Sequence, residues 1–133
     1  MSLKQIVLRL ARNPNHPDGD DRQGYVLIAP LDRDGLIDLE EWRAHRDRCI
    51  VKRFHPDPDE VADGWLTHNG SKWRFHYDEA REGPDEAGHR LGDHVFRPGE
   101  YVSVAHHGEE TLVYRVTDVL PLHEEAVRAT QKG

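Results

Sequence analysis

Two alternating runs meet at Asn69-Gly70 in the stretch GWLTHNGSKWRFHYD (64–78), and no other feature constrains the chain as strongly. Asn-Gly is the preferred central pair of a two-residue type I′ hairpin, whose twist matches that of the strands it joins. Pairing about that turn predicts Leu66, Trp73, Phe75 and Tyr77 on one buried face. It places Trp65 opposite Arg74 on the wet face, with Thr67, Lys72 and His76, and so predicts a Trp65–Arg74 cation–π contact.

The same alternation recurs along the chain, broken each time by proline or glycine. KQIVLRLAR (4–12) sets Ile6, Leu8 and Leu10 against Val7, Arg9 and Ala11, the pattern of a strand with one buried face. GYVLIAPL (24–31) is a continuous apolar run and reads as a well-buried strand antiparallel to the first. CIVKRF (49–54) is a third strand, stopped by the prolines of HPDPDE. A Pro98-Gly99 turn opens a strand at Tyr101–Ala105, and TLVYRVTDV (111–119) is its partner, ended by Pro121. NPNHPDGDDRQ (13–23) and residues 79–93 lack such periodicity and are predicted to be long exposed loops. The only internal helix expected covers residues 39–48, with Asp38 as N-cap and Glu41 closing a capping box; a short helix is expected after Pro121.

These elements predict an α+β fold dominated by antiparallel sheet. It is a small barrel or strongly curved sheet of about seven short strands, with the helix covering one face or opening. The 133 residues fit one domain, which at this size buries roughly two-thirds of its unfolded surface. Charged residues make up 32%, but the apolar residues fall in runs, and that places the chain with globular proteins rather than disordered ones. A lone cysteine, Cys49, excludes an internal disulfide and suggests a reducing compartment. The first residues carry no signal-peptide pattern and no run reaches the length of a membrane span, so a cytoplasmic location is expected.

With 25 acidic against 18 basic residues the formal charge is −7, which disfavours nucleic acid as a partner. The exception would be a local patch built from Arg43, Arg46, Arg48, Lys52 and Arg53, which could take phosphate if they shared a face. Ten histidines are enough to move the formal charge from −7 to +3 on full protonation, so surface charge is sensitive to mild acid.

Three sets of residues are candidates for chemistry. DRDGLIDLEEW (32–42) resembles an EF-hand calcium loop, with Asp32, Asp34, Asp38 and Glu41 at ligand positions and Gly35 at the glycine position. Pro30 stands where the first carboxylate belongs, and a strand rather than a helix precedes it. A turn leading into a capped helix explains every residue without a metal. A second set, His89, Asp93, His94 and His106, has the imidazole and carboxylate donors that suit a divalent metal such as zinc. The third is the loop carrying His16, Asp18, Asp20, Asp21 and Arg22, a binding surface for a protein or small ligand. Paired His and Asp groups also admit a small acid–base or metal-assisted hydrolase, although no nucleophile elbow, phosphate loop or HExxH pattern accompanies them.

The segments GYVLIAPLDRDGLIDLEEWR, HVFRPGEYVSV and YRVTDV are similar to small bacterial proteins of unknown function. This resemblance covers most of the chain and implies no catalytic residues. The expectation is therefore a non-enzymatic domain that binds a partner or small ligand through its two long loops.

Overall fold

The computed structural model describes residues 3–69, 72–77, 86–89, 94–106 and 110–122. Eight strands follow in chain order: β1 (Leu3–Leu10), β2 (Asp20–Pro30), β3 (Ile50–Phe54), β4 (Ala62–Asn69), β5 (Lys72–Tyr77), β6 (Glu86–His89), β7 (Tyr101–His106) and β8 (Glu110–Pro121). Each pairs antiparallel with the next, and β8 returns to pair with β1, so the curled sheet closes on itself. Closure satisfies the backbone groups that an open sheet leaves at its edges. One short helix, α1 (Leu39–His45), and a 3₁₀ turn at Arg46–Arg48 link β2 to β3. The label α+β therefore fits only loosely. The helix expected after Pro121 lies outside the described residues.

Among the described side chains, period-two alternation sends one face of the strands inward. Ile6, Leu8, Tyr25, Leu27, Val51, Leu66, Phe75, Val102, Val104 and Val116 are fully buried and fill the lumen. Eight strands enclose a space that side chains can fill without leaving a channel. Tyr25 sits at its centre, with its ring centroid 5.0 Å from Phe75 and 5.1 Å from Tyr114, and so joins β2, β5 and β8. Trp42 ties α1 to the barrel: its ring lies 5.4 Å from that of Trp73, and its Nε1 donates to the Leu66 carbonyl at 2.9 Å. Asp38 caps the helix by accepting from the Glu41 N–H at 3.2 Å. The reciprocal half of the predicted capping box is replaced, because the Asp38 N–H donates to Pro30 O at 2.9 Å and the Glu41 carboxylate pairs with His45.

Four expectations are corrected. Residues Asp20–Gln23 extend β2 rather than finishing a loop, since β1 continues far enough for Leu10 to pair with Asp20. Residues 79–93 are not loop throughout: β6 pairs with both β5 and β7. Its sequence, EAGH, offers no apolar alternation, and its place in the sheet comes from backbone hydrogen bonds on both sides. In the β4–β5 hairpin Asn69 pairs with Lys72 and Leu66 with Phe75, a register displaced by two residues from the predicted one. An even displacement preserves the face, and Leu66, Trp73 and Phe75 are buried as predicted, with Tyr77 outside the side chains described; but Trp65 then faces His76, and Thr67 faces Arg74. Finally, Arg53 does not join Arg43 and Arg46 on an exposed face. It is buried, facing Tyr25 across the ladder, and its guanidinium lies 3.2 Å from Glu60.

Candidate functional site

The stretch resembling a calcium loop is built as a corner. Asp32 Oδ1 accepts from the N–H groups of Asp34 at 2.8 Å and Leu36 at 3.1 Å, while its backbone exchanges hydrogen bonds with Leu36 and Gly35. Gly35 takes φ +84°, a conformation that costs a residue with a side chain roughly 1–2 kcal/mol. Its carbonyl accepts from the Phe96 N–H at 2.8 Å, and Asp34 O accepts from Arg97 at 3.4 Å, so the corner is tied to the segment before β7. The carboxylates of Asp32 and Asp38 are thus engaged with backbone donors. Asp32, Asp38 and Glu41 line a shallow cleft that they share with two cations, Lys4 and Arg33.

The histidine set is spread along the sheet. Register places His89 opposite Ser103, three positions along β7 from His106. That is on the order of 10 Å of strand. His94 lies in the segment that leads to Phe96, and Asp93 lies outside the described residues. Among the described residues no group of three or more His, Cys, Asp or Glu side chains is placed to hold one metal ion. Cys49 is buried against the His45 carbonyl. Burial, with a smaller push from Asp47, raises its thiol to about 11, so at neutral pH it is neither ionised nor accessible.

The 13–23 loop is different. Its base is fixed by Asn13, one of two buried polar or charged side chains among the described residues. Asn13 Nδ2 donates to Ala11 O at 2.9 Å and Val113 O at 3.1 Å, and its Oδ1 accepts from the Val113 N–H at 3.0 Å. Backbone bonds between Asn13 and His16 close a tight turn, and Gly19 at φ +69° returns the chain to β2. Asp20 binds Arg22 and Gln23, and these hydrogen bonds hold its carboxyl below the usual range. Asp20 and Arg22 therefore satisfy each other, and His16 contributes backbone to the turn. Only Asp18 and Asp21 of the predicted set face the adjoining cleft.

That cleft, about 430 Å³, is lined by Arg9, Arg12, Asp18, Asp21, Tyr101 and Arg115, with a floor of Leu10, Ala11 and Val113. Arg9, Arg115 and Tyr101 of its lining belong to one cross-strand row. Phe54 pairs with Gly24, Gly24 with Arg9, Arg9 with Arg115, and Arg115 with Tyr101. Five strands contribute one residue each. A Cβ on Gly24 would fall 2.8 Å from the Phe54 ring and 1.8 Å from Leu8 O, so glycine leaves room for that ring to lie across β2. The Arg9 guanidinium sits 5.6 Å from the centre of the Phe54 ring and donates to Asp21 O at 2.8 Å. None of Arg9, Arg12 and Arg115 forms an ion pair with a described residue. Sequence reading missed all three and Tyr101: Arg9 and Arg12 adjoin the loop in sequence, but Arg115 and Tyr101 reach it only through the closure of β8 on β1.

A second, more apolar cleft of about 440 Å³ lies beside α1, between Trp42, Arg46, Trp65 and His68. The His68 ring packs 4.5 Å from Trp73, and desolvation, with Arg43 nearby, lowers its pKa, which favours the neutral imidazole. No helix among the described residues is long and apolar enough to cross a membrane. Comparison of the chain with protein-family models, with curated proteins and with solved structures returned no match.

Proposed function

We propose that the protein is a non-enzymatic binding domain whose small, polar ligand seats in the cleft between the 13–23 loop and the β1–β8–β7 wall. One observation carries the reading: three guanidiniums meet two carboxylates in this cleft, yet none of the three is paired with them. Charged side chains on a folded surface usually find partners or point apart into water; here the ladder holds Arg9 and Arg115 side by side on paired strands. A volume of about 430 Å³ also lies within the range of small-molecule sites. The loop supplies carboxylates that can accept from ligand hydroxyl or amine groups, while Asn13 and Gly19 keep its backbone in place.

Protein-observed NMR against a chemically mixed panel of small polar compounds tests this. Compounds that bind should shift the amide signals of Ala11, Val113 and Tyr101 together. The same compounds should leave the spectrum of an Ala11→Trp variant unchanged, because the indole fills the floor. Binding that survives Ala11→Trp, or shifts confined to the Trp42–His68 cleft, would overturn the assignment.

A further inference from the structure

We infer that the cleft recognises an oxyanion, a carboxylate or phosphate group carried on a small organic body; this rests on the binding reading above and names its ligand class. The starting point is the Arg9–Arg115 pair. Like charges directly opposite on neighbouring strands destabilise a sheet, and these two are direct partners in the β1–β8 ladder. A structural role would offset that repulsion with an acidic neighbour, yet no described carboxylate pairs with either. Arg12, exposed two residues beyond the end of β1, adds a third cation that has no ion-pair partner among the described residues. Against a chain of formal charge −7, this is a concentration of positive charge that the overall composition opposes.

Geometry favours an oxyanion that can accept bidentately. Arg9 is preorganised, with its guanidinium fixed by the Phe54 ring on one side and by Asp21 O on another. Guanidinium forks match carboxylate and phosphate oxygens, and a donor already held in place loses less entropy on binding. Arg115 stands between Arg9 and Tyr101 in the same row. Tyr101 is 56% exposed, the most exposed of the large apolar side chains described. Its ring gives the ligand body an apolar surface beside the guanidiniums. Asp18 and Asp21 face the same space, so the lining carries a net charge of +1 from three arginines and two aspartates. That balance admits one anionic group and disfavours polyanions such as nucleic acid.

Isothermal titration calorimetry with phenyl phosphate, benzoate and uncharged benzyl alcohol tests the inference. Phenyl phosphate or benzoate should bind, benzyl alcohol should not, and the stronger of the two anions identifies the head group. Arg115→Gln and Arg12→Gln should each weaken that binding at least tenfold, and raising the salt should weaken it further. Thermal denaturation of both variants should match the parent, which separates lost recognition from lost fold. Equal binding of benzyl alcohol, full affinity in Arg115→Gln, or no binding by either anion would overturn the inference. Neutral or cationic compounds that shift Ala11, Val113 and Tyr101 would overturn it as well, while leaving the binding reading intact.

Discussion

Two acidic, glycine-containing turns flank β2, and they use their charges in opposite ways. The 32–38 corner looks like a ligand loop in sequence, but its principal carboxylates are occupied: Asp32 accepts from two backbone N–H groups and Asp38 caps α1. The 13–19 turn resembles no motif, and its base is anchored by an amide, Asn13, rather than by a carboxylate. Asp18 and Asp21 are left to face a cleft, opposite arginines that form no ion pair with a described residue. A motif-like spacing of acids is thus a weak guide to binding when the local backbone already needs those acceptors. Charge that the fold brings together and leaves unsatisfied is the stronger guide.

The comparison breaks most visibly where the backbone anchors are removed. Asn13→Ala strips a buried site of three hydrogen bonds and leaves the Val113 N–H without its acceptor, so a loss of about 2–3 kcal/mol is expected in chemical denaturation. Asp32→Ala should cost about 1–2 kcal/mol, since its two N–H donors can turn to water. Asp38→Ala removes the helix cap, for about 1 kcal/mol. If the 32–41 stretch is a corner and not a calcium loop, millimolar calcium should leave both Trp42 fluorescence and the stability of the parent unchanged. A calcium-dependent gain that Asp32→Ala abolishes would reverse the contrast between the two turns. Arg115→Gln should behave in the opposite sense to the anchors: relief of its repulsion with Arg9 leaves stability equal or raises it by a few tenths of a kcal/mol.

The smallest effect concerns Asp20, whose folded-state pKa is depressed by the Arg22 and Gln23 hydrogen bonds. A depressed carboxylate pKa contributes stability above the unfolded value, here 3.8, and that contribution is lost as pH falls through the folded value. Asp20→Asn should therefore lower stability slightly at neutral pH and flatten the acid side of the profile, with the two proteins converging in strong acid. A mutant profile that is steeper than the parent in acid would contradict the pairing.

Much of this fold was legible because its strands announce themselves locally. The alternation in 4–10, the apolar run ending at Pro30, and the Pro98-Gly99 turn before Tyr101 each mark an element without help from distant residues. The Asp38 cap was legible for the same reason. What could not be read depends on partners far along the chain. β6 has no apolar pattern and exists through pairing with β5 and β7. The two-residue displacement of the β4–β5 register left the faces unchanged, so the hydrophobic pattern could not detect it. The burial of Arg53 follows from strand parity: it alternates with Lys52 and lies on the same face as Val51. Asp18 and Asp21 were found as loop acids, but Arg9, Arg115 and Tyr101 stand on three strands that only barrel closure makes neighbours.

The central claim is that guanidiniums on the β1–β8 wall, without an ion-pair partner among the described residues, form an anion site. Its most direct test is calorimetric titration of phenyl phosphate and benzoate into the parent protein and into Arg115→Gln, each at low and at high salt. Binding by the parent that weakens with salt, and falls at least tenfold in the variant, is the expected result. Binding that is indifferent to both salt and Arg115, or absent for both anions in the parent, would contradict it.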